Sequence, residues 1–127
     1  MGAKVNGIPV KVYGIPNCDQ VKKARAWLEA NNVIYTFHDF KKQGLSGELA
    51  ANWLKAAGAD RLINRQGPTW RILDEERKAL VDKPSGPVAE KQTLMLDYPS
   101  VNKRPVLDRD GEITVGFNAG HYNTLFP

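Results

Sequence analysis

The chain has 127 residues, of which 42% are hydrophobic and 25% charged, close to an average globular domain. It contains one cysteine, which excludes an internal disulfide and argues against a small secreted disulfide scaffold. No window approaches the roughly 18 apolar residues of a membrane span, and we expect neither a signal peptide nor a membrane partner. The composition therefore indicates a protein of a reducing, cytoplasmic compartment.

The formal net charge of +4 would attract anionic small molecules or an acidic protein partner. Lysines and arginines are spread along the chain, and no recognised nucleic-acid motif is present. We therefore expect most of these charges to be solvated at the surface, and we do not expect nucleic acid as a direct ligand.

The chain is predicted to begin with a strand, a helix and a second strand. Residues 9–15 carry the apolar side chains of a strand and end at Pro16-Asn17, a turn signal. Residues 18–31 place apolar side chains on one helical face, and residues 33–40 alternate as a strand does. A strand, a helix and a strand of these lengths form a βαβ unit, so the two strands should be parallel.

Several helices are predicted to follow. Ser46 is the expected N-cap of a helix that ends near Gly58. Asp74 is the expected cap of a later helix, and Pro87 suits the first turn of another. The helical segments predicted after Gly58 are 59–66, 69–73, 74–81 and 87–97.

The C-terminal part predicts a hairpin and a last helix. Val106-Leu107 and residues 113–115 flank Asp110-Gly111, a hairpin turn signal, and a short helix is expected over 119–125. This layout predicts an α/β protein of thioredoxin-like fold, with a four-stranded mixed sheet and an inserted helical subdomain. We expect one domain over residues 1–127, with the helical insert at about 44–97.

Cys18 is expected where the first strand gives way to the first helix. Backbone N–H groups and the positive end of the helix dipole at that point favour thiolate over thiol. The pKa of a free cysteine, about 8.5, can fall to roughly 3.5–7.5 in such a position. From position alone, a reactive nucleophile and an inert buried cysteine remain equally open.

Five segments of the chain, in order, resemble the sequence blocks of the ArsC-like family, which is related to arsenate reductases. The resemblance covers residues 9–126 and is greatest to the YffB-type and Spx-related thioredoxin-fold branch rather than to true arsenate reductases. The five segments are 13–19 (YGIPNCD), 22–28 (KKARAWL), 37–40 (FHDF), 67–71 (GPTWR) and 103–107 (KRPVL).

The resemblance implies a glutathione-dependent thiol oxidoreductase in which Cys18 is the catalytic nucleophile. Arg104 matches the arginine before the family's cis-proline, and its guanidinium would hold an oxyanion or carboxylate beside the thiolate. Pro105 matches that cis-proline, which presents a backbone edge to thiol substrates. Arg65 falls near another arginine position of the arsenate reductases and is a candidate substrate ligand.

Two residues near the cysteine are further candidate substrate ligands. Asn17 either positions a substrate or only shapes the turn, and Lys22 is a candidate contact for an anionic ligand. His38 is more simply interpreted as structural than as a proton carrier. His38 and His121 are isolated and make no metal-binding spacing with the cysteine, so no metal is expected.

The chain departs from the arsenate reductases at two positions. No arginine lies near Gly116-Phe117, so an arsenate transition state would lose charge stabilisation and we expect poor arsenate reduction. Val21 occupies the second-cysteine position of a Cys-x-x-Cys motif, so an outside thiol must release oxidised or thiolated Cys18. Glutathione is the expected co-substrate, with a small thiol or oxyanion as substrate and a glutaredoxin as candidate partner.

Two other functions stay open. An Spx-like regulatory protein would contact RNA polymerase through its surface, although the missing second cysteine counts against a redox-switched version. A family relic that only binds its ligand weakly is the third possibility.

Overall fold

A computed structural model describes residues 9–82 and 88–126. The described chain forms two compact units, one from the parts Met1–Phe40 and Arg104–Pro127 and the other from Lys41–Lys103. The predicted helical insert, 44–97, falls inside the second unit, whose residue range extends further in both directions along the chain. The assignment of all 127 residues to one domain stays a prediction.

The first unit contains a four-stranded mixed sheet of order β2-β1-β3-β4. Its strands are β1 Val10–Gly14, β2 Thr36–Asp39, β3 Val106–Arg109 and β4 Glu112–Val115. β1 pairs with β2 in parallel, and β3 pairs antiparallel with both β1 and β4. The thioredoxin-like α/β fold, the parallel βαβ pair and the hairpin are therefore confirmed.

Helices α1 (Asp19–Ala30) and α8 (Ala119–Leu125) share a hydrophobic core with β1 and β3. The helical spacing of α1 buries Val21, Ala24 and Leu28. Leu28 is fully buried, and burial of a leucine side chain contributes about 1.5–3 kcal/mol to folding. Tyr122 of α8 completes this core, with its ring 5.5 Å from Trp27, edge to face.

The second unit is helical. Ser46 accepts a hydrogen bond from the N–H of Leu49 at 3.1 Å and caps α3, whose last residue is Ala57 and whose C-cap is Gly58, so the predicted N-cap and the predicted end near Gly58 are confirmed. The helix α2, Phe40–Gln43, begins with the last residue of the first unit's N-terminal part. The other helices of the second unit are α3 Gly47–Ala57, α4 Ala59–Leu62, α5 Pro68–Arg71, α6 Glu75–Asp82 and α7 Val88–Asp97, followed by a 3₁₀ turn, Pro99–Val101.

Side-chain hydrogen bonds connect these short helices. Gln92 of α7 donates to the carbonyl of Gly47 at 2.7 Å. Asn102 is fully buried, and its amide donates to the carbonyls of Met95 and Pro99. The accompanying apolar core consists of Ile63, Trp70, Leu73, Val81, Leu94 and Val101.

Several predicted boundaries were wrong. The second strand begins at Thr36 rather than 33, because Val33 still bonds to the carbonyl of Leu28 and packs in the core. The helix predicted over 59–66 ends at Leu62, because Ile63 pairs with Asn102 in an isolated antiparallel bridge. The helix predicted over 69–73 is Pro68–Arg71.

Two other helix signals of the sequence have different outcomes. The carboxylate of Asp74 accepts from the N–H of Arg77 at 2.7 Å, so the predicted cap is confirmed. The predicted start at Pro87 lies outside the described residues. In the described chain, each helix is too short or too polar to cross a lipid bilayer.

Candidate active site

Cys18 lies in the turn between β1 and α1. Its N–H donates to the carbonyl of Ile15 at 3.1 Å, and its carbonyl accepts from the N–H of Lys22 at 3.0 Å. Its extended backbone makes it the N-cap of α1. Cys18 therefore lies at the N-terminus of the first helix, where the sequence predicts it, immediately before the first helical residue, Asp19.

Burial of the Cys18 sulfur would by itself raise its pKa, but other effects prevail and lower the pKa below the ordinary value. The strongest of these comes from the backbone N–H of Val21, followed by the side chain of Arg104 and the N–H of Gln20. The side chain of Cys18 accepts no cap hydrogen bond of ordinary geometry, so the amides favour its anion through their dipoles. The site therefore favours the reactive thiolate.

Arg104 supplies the second part of this environment. Its guanidinium hydrogen-bonds the sulfur of Cys18 and adds a favourable Coulombic interaction with the thiolate. The peptide bond between Arg104 and Pro105 is cis, as the resemblance implies. Pro105 is buried, and its carbonyl accepts from the N–H of Gly116 at 2.8 Å. The structure thus brings Cys18, Arg104 and Pro105 into one unit, at the start of β3.

The other predicted ligands are arranged differently. Asn17 is exposed in the turn before the cysteine, and Lys22 is exposed on α1. Arg65 belongs to the second unit, where it pairs with Asp60 at 3.4 Å and lies 5.3 Å over the ring of Trp70. The roles of Asn17, Lys22 and Arg65 in substrate binding stay predictions.

Two amides that act on the sulfur were not identified from the sequence as individual groups. The N–H groups of Gln20 and Val21 belong to the second and third residues of α1. The only signal for them is general, because any helix N-terminus leaves its first N–H groups free. Within the described residues, no group of three or more His, Cys, Asp or Glu side chains is placed to hold a metal ion.

His38 has a structural environment. It is the β2 partner of Tyr13 on β1, and the two rings lie 5.0 Å apart. Tyr13 is buried, so His38 covers part of a core side chain. This contact supports the structural interpretation of the histidine.

Comparison with known proteins agrees with this geometry. The model of the ArsC family matches residues 13–125, a range that includes both Cys18 and Arg104. The chain belongs to the ArsC family. This membership and the arsenate reductase-like fold support a thiol oxidoreductase at the level of the family.

Solved structures and curated relatives extend the comparison. A protein named YffB is 41% identical, with a TM-score of 0.84, over 93% of this chain and 99% of its own. An arsenate reductase-related protein from Brucella melitensis is 45% identical, with a TM-score of 0.73, over 95% and 97%. The global transcriptional regulator Spx 1 of Bacillus cereus is 25% identical over 93% of this chain and 87% of its own.

Proposed function

We propose that this protein is a glutathione-dependent thiol oxidoreductase that uses Cys18 as its one catalytic sulfur. The observation that carries the proposal is the convergence of two helix-terminal amides and the Arg104 guanidinium on the only cysteine of the chain. Such an arrangement stabilises a thiolate, and the thiolate is the form that attacks disulfides.

In the first half of the proposed cycle, the Cys18 thiolate attacks the glutathione sulfur of a mixed disulfide. A bond forms between Cys18 and glutathione, the disulfide bond of the substrate breaks, and the substrate sulfur leaves as a thiolate that takes a proton from solvent. The substrate is thereby reduced by two electrons. Cys18 is left as a mixed disulfide with glutathione.

In the second half, a glutathione thiolate attacks the glutathione sulfur on Cys18. Oxidised glutathione leaves, and the Cys18 thiolate is regenerated beside Arg104. An outside thiol is required here because the chain has no second cysteine, and a glutaredoxin is an alternative final reductant. The same requirement supports a glutathione-containing, cytoplasmic location.

Arg104 has two roles in this cycle. It stabilises Cys18 as attacking and leaving thiolate, and its fork of donors suits a carboxylate of glutathione or an oxyanion of a substrate. Arsenate is expected to react poorly, because position 117 is Phe and position 116 is Gly where an arsenate reductase has another arginine. Pro105 would present the backbone edge against which the substrate sulfur is held.

Mass spectrometry of the intact protein tests the proposal. Reduced protein is offered glutathione mixed disulfides and arsenate in turn, and glutathione linked to Cys18 is followed before and after addition of free glutathione. We expect the adduct to form with mixed disulfides and to disappear with free glutathione, with little reaction of arsenate. Cys18→Ser is the control. An adduct that is never released, or turnover that survives Cys18→Ser, would refute the proposal.

A second candidate function is an Spx-like regulator that binds RNA polymerase. It is supported by the 25% identity to Spx 1 over most of both chains. Capture of RNA polymerase by the wild-type protein and equally by Cys18→Ser would favour this function. Loss of capture only in Cys18→Ser would indicate that the cysteine chemistry and the interaction are coupled.

A further inference from the structure

Gly14, the last residue of β1, is pressed against the first turn of α1. It is buried, and a Cβ at this position would lie 2.6 Å from Cγ2 and 3.3 Å from Cγ1 of Val21. Separations below 3.0 Å are essentially never seen for real Cβ atoms, so an alanine here would force a displacement. The φ of Gly14 is not in the left-handed region, so glycine is required here by space and not by backbone conformation.

Val21 cannot easily yield to such a displacement. Its side chain is fully buried, and a β-branched residue in a helix has one strongly preferred rotamer. The crowded atoms are attached to Cβ, so a push on them moves the backbone of the first turn. A close-packed core transmits such a push because it leaves no free volume to absorb it.

The backbone of Val21 is part of the cysteine site. Its N–H is the strongest of the groups that favour the Cys18 thiolate. The segment between Gly14 and Cys18 is short and is closed by the hydrogen bond from the Cys18 N–H to the Ile15 carbonyl. Contact of Gly14 with the Val21 side chain therefore fixes how far the Val21 N–H stands from the sulfur.

We infer that Gly14 is a positioning residue for the nucleophile, acting through the side chain of Val21 on the backbone N–H that faces Cys18. This inference rests on the proposed function of Cys18 but concerns a different residue. Gly14 does not touch the substrate. It allows β1 and α1 to approach closely enough for the helix terminus to hold the sulfur as an anion.

The geometry also specifies how the effect of an alanine would be reversed. A Cβ at position 14 would lie 3.6 Å from Cβ of Val21, an ordinary van der Waals separation. Truncation of Val21 to alanine removes only the two atoms that are too close, and it leaves the backbone N–H in place. The double variant Gly14→Ala/Val21→Ala therefore relieves the crowding without changing any group that faces the sulfur.

The test is a pH titration of the thiolate absorbance near 240 nm, in which the single cysteine makes the signal unambiguous. Gly14→Ala is expected to raise the measured Cys18 pKa by roughly 0.5 to 1, with a thiolate fraction three- to tenfold lower below that pKa. The double variant is expected to return the pKa to the wild-type value. Gly47→Ala is the control, because its Cβ would meet Gln92 Nε2 at 2.9 Å in the other unit. The pKa of that variant should not change.

The outcomes are separable. A folded Gly14→Ala protein with the wild-type pKa would overturn the inference, and so would a double variant whose pKa stays raised. If Gly14→Ala does not fold, the double variant must fold with the wild-type pKa, and its failure to do so also overturns the inference. Turnover of mixed disulfides by the wild type is measured alongside. Absence of that turnover rejects the proposed function while the pKa comparison still decides the role of Gly14.

Discussion

The guanidinium of Arg104 hydrogen-bonds the sulfur of Cys18 and places a positive charge beside it. Cys18 follows β1 and Arg104 precedes β3, and the two strands pair antiparallel with Tyr13 opposite Val106. The ends of these paired strands therefore meet at the site. Because both interactions of Arg104 are stronger with the thiolate than with the thiol, the arginine acts directly on the proton affinity of the cysteine.

Removal of the guanidinium should make Cys18 a weaker acid. In Arg104→Met we expect the Cys18 pKa to rise by about 1 or more, since an opposite charge at contact distance typically shifts a pKa by about 1–3. Arg104→Lys keeps the charge and loses the donor fork, so its pKa should lie between those of wild type and Arg104→Met. Thiolate absorbance against pH measures this, with Cys18→Ser as the blank. An unchanged pKa in Arg104→Met would show that the guanidinium does not act on the sulfur.

The reaction rate should follow the same titration. In a single turnover with excess mixed disulfide and no free glutathione, the rate is set by the Cys18 thiolate alone. It should fall as the pH is lowered through the depressed pKa of Cys18, and in Arg104→Met the fall should begin at a higher pH. Stopped-flow detection of the released thiol measures both profiles. Superimposable profiles would contradict the assignment of Arg104.

Stability should also depend on the ionisation of Cys18. The pKa of Cys18 is lower in the folded protein than in an unfolded chain, so its ionisation stabilises the folded protein. This contribution to the free energy of unfolding is fully present above the ordinary pKa of about 8.5. The contribution is lost as the pH falls through the folded-state pKa, because both states then carry the thiol. We therefore expect the melting temperature of the wild type, relative to that of Cys18→Ser, to be higher at pH 9 than at pH 5. A constant difference, measured in reducing buffer, would argue against a depressed pKa.

Replacement of tyrosine by phenylalanine should have different effects on stability at Tyr122 and at Tyr35, two residues of the first unit. The hydroxyl of Tyr122 is buried without a hydrogen-bond partner among the described residues, and burial raises its pKa far above the ordinary value. Tyr35 accepts from Nε of Arg25 at 3.0 Å and donates to Glu29 at 2.6 Å. Tyr122→Phe should be neutral or stabilise by about 1 kcal/mol, whereas Tyr35→Phe should destabilise by about 0.5–1.5 kcal/mol.

Thermal unfolding of the two tyrosine variants checks this contrast, with about 1 kcal/mol corresponding to a melting temperature change of roughly 3–5 °C at this size. Destabilisation by Tyr122→Phe would mean that the hydroxyl has a partner after all. The ring itself is required, since Trp27 and Phe117 pack edge to face against it. Tyr122→Ala should therefore cost about 3–5 kcal/mol.

In the second unit, Asn102 should be sensitive to loss of its amide. The side chain is fully buried and donates to two backbone carbonyls, at 3.1 Å to Met95 and 3.0 Å to Pro99. Asn102→Ala leaves those carbonyls without this donor and should destabilise by about 1–3 kcal/mol in urea unfolding. Asn123→Ala, at an exposed position, is the matched control and should change stability by about 0.5 kcal/mol or less. Equal effects of the two substitutions would contradict the role of Asn102.

Local patterns were sufficient for much of the fold. Asp110-Gly111 predicts the hairpin because a tight hairpin turn needs residues with positive φ, and Asp and Gly adopt such values more readily than other residues. In the structure Asp110 has a φ of 50° and Gly111 a φ of 94°. The last helix is found at Ala119–Leu125 as predicted, and Asn118 caps it by accepting from the N–H of His121. Such features depend on residues three or four positions apart, which a single sequence displays.

Features that depend on residues far apart in the chain could not be predicted from local sequence patterns. The helix over 59–66 was predicted too long because nothing near Ile63 reveals its bridge to Asn102. Likewise, the residues alone left the reactivity of Cys18 open, since no spacing indicates that Arg104 lies beside it. The arginine was identified through the family resemblance, which records a contact between segments far apart in the chain.

The strand order has a consequence for newly synthesised protein. β1 and β2 precede the long segment Lys41–Lys103, whereas β3, which sits next to β1 in the sheet, follows it. A nascent chain therefore exposes Cys18 well before the ribosome adds Arg104, and during that interval no guanidinium from this position can acidify the thiol. The part of the Cys18 pKa shift that comes from Arg104 therefore arises only late in translation, once β3 has been made and has joined β1 in the sheet.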